Sequence, residues 1–191
     1  MQTAGGALPG ALSDTVAQLR AEGLLAAHTT AGPAYGGERE AISVAGALYA
    51  ARDHEAIVAG PGPGILGSGS ALGHGGLAAL DAAHAALAAG CPVVVAPRMS
   101  ESDPRHRHRG LSHHTATVLE LLLAPVTVAM PAATPSPPRG ERHLWRAAHD
   151  DRYDEYAASG LPATSMGRDD PLFFAAAAAA GRALAGMIPR P

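Results

Sequence analysis

The chain has 191 residues, 47% of them hydrophobic, and a formal net charge of -3 at pH 7. This length can bury the core of one domain, and a slightly acidic chain is not expected to bind nucleic acid, because such binders present a strongly basic face. Its single cysteine, Cys91, excludes a disulfide within the chain. The N-terminus lacks the charged and apolar regions of a secretory signal, and no apolar run reaches the ~20 residues of a membrane span. We therefore expect a cytoplasmic protein without membrane contact.

The first half of the chain predicts helices and strands in alternation. Ser13 can accept a hydrogen bond from the first turn of a helix, and Gly23 can end that helix. The elements expected after it are a strand over 24–30, a helix within 37–52, a strand over 55–59 and a helix over 77–89.

The second half continues the alternation. The elements expected there are a strand over 91–97, a helix from Ser112 to about Leu123, strands over 125–130 and 143–148, a short helix over 151–159, a strand over 161–166 and a helix over 170–188. Four prolines in residues 131–141 predict an extended connector. This order predicts a single α/β domain with an open, mainly parallel, Rossmann-like sheet flanked by helices.

In such a sheet the loops that follow the strands meet at one edge, where ligands bind. The loops predicted at this edge are residues 31–40, 60–76, 98–115 and 164–170. They would contribute Glu38 and Glu40, backbone amides, an arginine and histidine cluster, and Arg168, respectively. The sequence therefore predicts a composite site at the carboxyl edge of the sheet.

Residues 60–76 contain eight glycines and lie between a predicted strand and a predicted helix, where phosphate-binding loops occur. The sequence does not match the P-loop motif, and the absence of lysine excludes a P-loop NTPase. The candidate ligand-binding residues of this loop are Gly62, Gly64, Gly67, Ser68, Gly69, Ser70 and His74. The alternative is that the glycines only permit tight turns and close packing.

Residues 98–115 hold four of the ten histidines. They also hold four of the fourteen lysine and arginine residues of the chain, and these four are all arginines. In an extended backbone Arg105, Arg107 and Arg109 would point to one side and bind a phosphate or carboxylate through forked hydrogen bonds. The further candidate ligand-binding residues are Arg98, Asp103 and Ser112, and the candidate catalytic residues are His108, His113 and His114.

Two alternatives remain for this loop. His108, His113 and His114 could bind a metal with Asp103, although their spacing matches no standard zinc motif. Alternatively, Asp103 and the arginines could pair with one another and only hold the loop in shape.

Four segments carry a family resemblance: QTAGGALP at 2–9, GPGPGILGSGSALGHGG at 60–76, SESDPRHRHRGLSHHT at 100–115 and TSMGR at 164–168. With these segments the chain resembles the bacterial DUF3866 family, and in particular the C-terminal portion of its longer members. Ala4 stands where the family tends to have an acidic residue, and Pro33 where it tends to have a histidine. The resemblance implies a shared site but no known reaction.

Three functions are therefore open. The first is an enzyme acting on a small anionic ligand, phosphorylated or nucleotide-like, with arginines as anion clamps and a histidine as general acid or base. The second is a metal-dependent hydrolase that uses the histidine cluster. The third is a non-catalytic ligand-binding or assembly subunit, in which the chain could form a homo-oligomer. The sequence identifies no cofactor.

Overall fold

The computed structural model describes residues 1–68, 70–132, 134, 142–148, 153–162 and 164–189. The chain forms two compact units, Met1–Cys91 and Pro92–Pro191. It is a mixed α/β protein, with six α-helices and several small sheets in the described residues. None of the helices described is long and apolar enough to cross a membrane. The single-domain organisation stays a prediction.

The first unit contains three helices and a two-stranded parallel sheet. The helices are α1 (Asp14–Ala21), α2 (Val44–Ala50) and α3 (Ala78–Ala88), and the strands are β1 (Thr29–Ala31) and β2 (Arg39–Ala41). Thr30 lies opposite Glu40 in the sheet. Ser13 and Ser43 cap α1 and α2, because their hydroxyl oxygens accept hydrogen bonds from the amides of the first helical turn.

The N-terminal residues fill the position beside β1. Gln2 bridges both Thr30 and Gly60 in parallel orientation. The Thr3 amide donates to the Gly60 carbonyl at 3.0 Å, and the N-terminal amino group donates to Val58 O at 2.8 Å. Residues near 58–62 therefore pair with the start of the chain.

The second unit contains a three-stranded parallel sheet, two antiparallel ribbons and three helices. Its strands are β3 (Val94–Val95), β4 (Met99–Ser100), β5 (Gly110–Leu111), β6 (Thr127–Pro131), β7 (Leu144–Ala148), β8 (Thr164–Ser165) and β9 (Arg168–Asp169). Its helices are α4 (His113–Leu121), α5 (Tyr153–Ala158) and α6 (Pro171–Ala185). The parallel sheet has the order β3-β6-β7, and the ribbons are β4-β5 and β8-β9.

The core of this unit forms where α6 packs on β6, a strand that is buried along its whole length. The buried side of α6 is built from alanines, and small side chains let the helix approach the sheet closely. Met99, Met130 and Ala176 form the centre of the core, and Trp145 packs against them. The alanine run of α6 is thus a packing surface.

The open Rossmann-like sheet is not confirmed, because the strands lie in several small sheets and two of the pairs are antiparallel. The strand expected over 24–30 begins only at Thr29, since the Arg20 guanidinium takes the carbonyls of Leu25 and Ala26. The strand expected over 55–59 is absent, because residues 58–62 pair only with the start of the chain. Most of the connector predicted over 131–141 lies outside the described residues.

The helix expected within 37–52 is shorter than predicted. Residues 39–41 form β2 instead, because they pair with β1. Ser43 then caps α2, which begins at Val44. Ile42 is fully exposed, so it contributes nothing to the core.

Candidate functional site

The loop over residues 98–115 is closed at its base. Strands β4 and β5 pair across it, with Met99 opposite Leu111. The Ser112 amide donates to Arg98 O at 2.9 Å, and the Arg98 amide donates to Thr115 Oγ1, also at 2.9 Å. A short antiparallel ribbon therefore holds the polar loop in place.

The extended backbone predicted for residues 105–109 is wrong. His106–His108 form a 3-10 turn, closed by a hydrogen bond from the His108 amide to Arg105 O at 2.9 Å. Arg105, Arg107 and Arg109 therefore do not alternate along a strand. Arg107 is exposed, whereas Arg105 and Arg109 bind to Asp103.

Asp103 is a fully buried carboxylate around which arginines converge. Arg105 binds it with two donors, Nε to Oδ1 at 2.9 Å and Nη2 to Oδ2 at 2.8 Å. Arg98 Nη2 and Arg168 Nη2 reach the same Oδ2 at 3.2 and 3.3 Å. Arg109 Nε donates to the Asp103 carbonyl at 3.0 Å. We call these four arginines the arginine cluster.

The β8-β9 hairpin supplies Arg168. The two residues of its turn, Met166 and Gly167, both have positive φ, at 51° and 75°. Turns with positive φ at both central residues match the twist of a two-residue hairpin. The second unit thus joins two of the predicted site loops, 98–115 and 164–170.

Ser100 and Asp170 also belong to this site, although the sequence analysis did not select them. Ser100 Oγ donates to Asp170 Oδ2 and accepts from the Asp103 amide at 2.9 Å. Asp170 Oδ1 also accepts from the Glu101 amide at 3.0 Å. Asp170 immediately precedes Pro171, a position at which an acidic residue suggests only a helix cap.

The arginine cluster holds more positive than negative charge. Three of its guanidinium groups pair with one buried carboxylate, that of Asp103, and Ser100 joins the backbone of Asp103 to a second buried carboxylate, that of Asp170. The Arg105 hydrogen bonds hold the pKa of Asp103 well below its usual range, against the effect of burial, so this carboxylate stays ionised. Burial and the nearby Arg105 lower the pKa of Arg98. The cations therefore repel one another in a partly desolvated place.

Three histidine rings lie beside the arginine cluster. The ring centroids of His108, His113 and His114 are 4.4 to 4.9 Å apart. His108 is almost fully buried, and burial followed by Arg98 and Arg105 lowers its pKa to about 4. His108 is therefore a neutral imidazole at neutral pH.

Ser112 holds the ring of this imidazole in place. Its Oγ accepts from the His114 amide at 3.2 Å, as expected for the N-cap of α4, and lies 2.8 Å from His108 Nδ1. The hydroxyl oxygen has two lone pairs, so it can either donate to Nδ1 or accept from a protonated Nδ1, and the contact fits both neutral tautomers of His108. No described residue offers Nε2 a hydrogen-bond partner.

The glycine loop, residues 60–76, forms many backbone hydrogen bonds within the first unit. The amides of Gly60 and Gly62 donate to the carbonyls of Met1 and Ala4. Those of Ser68, Gly73 and Gly75 donate to carbonyls within the loop. These are the donors that a phosphate loop would direct at its ligand, so the contacts favour the packing interpretation.

Several glycines of this loop sit where a side chain would collide. A Cβ on Gly62 would strike Gln2, and one on Gly64, whose φ is +84°, would strike Ala7. His74 is buried and bridges Gly67 in antiparallel orientation. Gly69 lies outside the described residues.

Glu38 belongs to a different group of residues, in the first unit. Its Oε1 lies 2.7 Å from Arg20 Nε, and its Oε2 accepts from the His28 amide at 3.4 Å. A single sheet edge that collects all four predicted loops stays a prediction.

The sequence model of one family, described as "Protein of unknown function (DUF3866)", matches residues 1–181. The chain belongs to this family, as its four motif segments predicted. No curated protein and no solved structure matches the chain.

Proposed function

From membership of DUF3866, whose function is not established, and from the arginine cluster, we propose that the second unit binds a small anionic ligand, phosphorylated or nucleotide-like. The observation that supports this most is the convergence of three guanidinium groups on the single buried carboxylate of Asp103. One carboxylate cannot neutralise three cations. An oxyanion beside them would relieve the repulsion that remains.

The arginines divide into two roles in this proposal. Arg105 uses two donors on Asp103 and so acts as its counter-ion. Arg98 and Arg168 each donate one hydrogen bond to Asp103. A guanidinium group has five N–H donors in a planar fork. The remaining donors of Arg98, Arg109 and Arg168 suit the oxygens of a phosphate group.

Two buried donors strengthen the case for an acceptor-rich ligand. Arg168 Nε is buried and has no hydrogen-bond partner among the described residues. His108 Nε2 is in the same condition, and it carries a proton in the tautomer in which Ser112 donates to Nδ1. A buried donor without an acceptor costs about 1–3 kcal/mol. A phosphate or carboxylate supplies only acceptors, so it would satisfy both.

The enzyme hypothesis assigns His108 a specific role. A neutral imidazole N–H can donate to an oxygen that gains negative charge during a reaction, without transferring its proton. His113 and His114 would adjoin this group at the start of α4. The alternative is a ligand-binding or assembly subunit with the same site, which turnover of a phosphorylated substrate would exclude.

The test uses protein from which bound phosphate has been removed. This protein is titrated with phosphate, pyrophosphate and adenosine monophosphate, and calorimetry measures the binding. We expect saturable binding that Arg168→Gln weakens by about tenfold or more, since a charge-assisted hydrogen bond contributes roughly 1.5–3 kcal/mol. Arg146→Gln, at an exposed arginine of β7, is the matched control and should bind like the parent. If none of these anions binds and Arg168→Gln only lowers stability, the cluster is a structural network.

A metal site is the second candidate function. It is favoured by the closeness of the three histidine rings and by the neutrality of His108. Metal at His108 Nε2 would require the other tautomer, in which Ser112 accepts rather than donates. Elemental analysis should then find about one metal ion per chain. His113→Ala should lose it, and His84→Ala on α3 should retain it.

A further inference from the structure

A cavity of about 280 Å³ lies within the first unit. It is lined by α1, by the turn before α1 and by residues 28, 37 and 38. All of these residues are at a distance in sequence from the arginine cluster, and none contributes to it. The cavity therefore carries an argument independent of the proposed anion site.

The polar wall of the cavity is the imidazole of His28. This residue is 94% buried, since its exposed fraction is 6%, yet no described residue forms a hydrogen bond with its ring. Burial is the main cause of its lowered pKa, so the ring is neutral at neutral pH and offers one donor and one acceptor. Gly10 makes room for the ring, because a Cβ at this position would strike His28 Cε1.

The charged groups at the cavity neutralise each other. Arg20 Nε lies 2.7 Å from Glu38 Oε1, and Arg20 Nη1 donates to Leu25 O at 2.9 Å. A charged ligand would find no unpaired opposite charge among the side chains that line the cavity to offset the loss of its own hydration. The remaining wall is apolar at Ala11, Val16 and Ala17, and it also includes Ser13.

We propose that this cavity binds a small uncharged molecule with an apolar, ring-sized body and a polar group that can form a hydrogen bond with an imidazole, as in a primary amide. That polar group would form a hydrogen bond with one ring nitrogen of His28. The apolar body would pack against Val16 and Ala17. The volume, just below that of typical pockets for drug-sized ligands, limits the occupant to a small molecule.

Three probes of nearly the same shape separate these properties: benzamide is uncharged, benzoate is an anion and benzamidine is a cation. Each is titrated into the full chain and followed by amide NMR signals. We expect benzamide to shift the signals of Val16, His28 and Gly37 in a saturable way. Benzoate and benzamidine should bind at least tenfold more weakly. Equal affinity for all three probes, or no saturable shift at these residues, overturns the proposal.

Leucine substitutions at two alanines of α1 complete the test. Ala17→Leu fills the cavity from an exposed position and should weaken benzamide binding at least tenfold. Ala21→Leu makes the same change at an exposed alanine outside the lining, and should bind like the parent. If Ala17→Leu binds benzamide as well as Ala21→Leu does, the cavity is not the site.

Discussion

At the scale of single residues, Asp103 determines the arrangement of the polar groups in the second unit. Its carboxylate is fully buried and accepts from Arg98, Arg105 and Arg168, while Ser100 orients its backbone. A buried ion pair adds little net stability, but removing one partner leaves the other charge uncompensated. We therefore expect the carboxylate to be required for the stability of this unit.

Asp103→Asn should lower the free energy of unfolding by roughly 3–5 kcal/mol, the usual cost of breaking a buried ion pair. Urea denaturation at neutral pH measures this change. Asp53→Asn is the control, because Asp53 is exposed and lies 4.0 Å from Arg52. It should cost less than about 1 kcal/mol. A similar small loss in both variants would contradict the role of Asp103.

His108 makes stability depend on pH. Its pKa is lowered to about 4 in the folded chain from 6.5, so the unfolded chain binds the additional proton between these values. Stability is therefore highest above pH 6.5 and falls by roughly 3 kcal/mol on acidification to pH 4. The pKa of Asp103 is lowered too, and its contribution is lost only below about pH 4.

Urea denaturation at pH 7 and pH 4.5 measures the contribution of His108. The parent should lose more stability between these pH values than His108→Asn, which cannot take up the proton. The comparison removes the effects of His28 and His74, whose pKa values are also lowered by burial. Equal losses in parent and variant would show that His108 is not buried as a neutral ring.

At the scale of elements, the start of α4 joins local structure to the site. Ser112 caps the helix through the His114 amide, and the same oxygen fixes the ring of His108. The cap thus also holds the buried ring of His108 in position. A sequence pattern indicates only the first of these two roles.

Ser112→Ala should cost about 2 kcal/mol or more, because it removes a helix cap and leaves the buried His108 Nδ1 without a partner. Ser43→Ala is the matched control at the exposed cap of α2, where Ser43 accepts from the Gly46 amide at 3.1 Å. It should cost only about 1 kcal/mol. Thermal or urea denaturation measures both, and equal costs would refute the second role of Ser112.

At the scale of the molecule, the sequence predicted helices better than sheets. α1, α4 and α6 begin one residue after the predicted starting positions Ser13, Ser112 and Asp170, because helix-start signals act through neighbouring residues. Strand pairing is not local. The residues near 58 pair with the N-terminus rather than with a further strand, and no local pattern carries that information.

The candidate site, too, was predictable from local sequence only in part. The arginine and histidine loop was visible as a cluster of residue types, and Ser112 was predicted correctly as a helix cap. The pairing of Arg168 with Asp103 joins residues 65 positions apart, and that of Ser100 with Asp170 joins residues 70 apart. Composition indicates the members of such a cluster, whereas the fold decides which of them touch.

The arginine side-chain N–H signals in an NMR spectrum would report directly whether an anion binds at the cluster. Arg168 Nε is buried without a partner among the described residues, whereas Arg105 Nε already donates to Asp103 Oδ1 at 2.9 Å. We predict that phosphate shifts the Arg168 Nε–H signal in a saturable way and leaves that of Arg105 nearly unchanged. Chloride at the same ionic strength should have no such effect. An Arg168 signal that does not respond to phosphate or pyrophosphate would contradict the anion site.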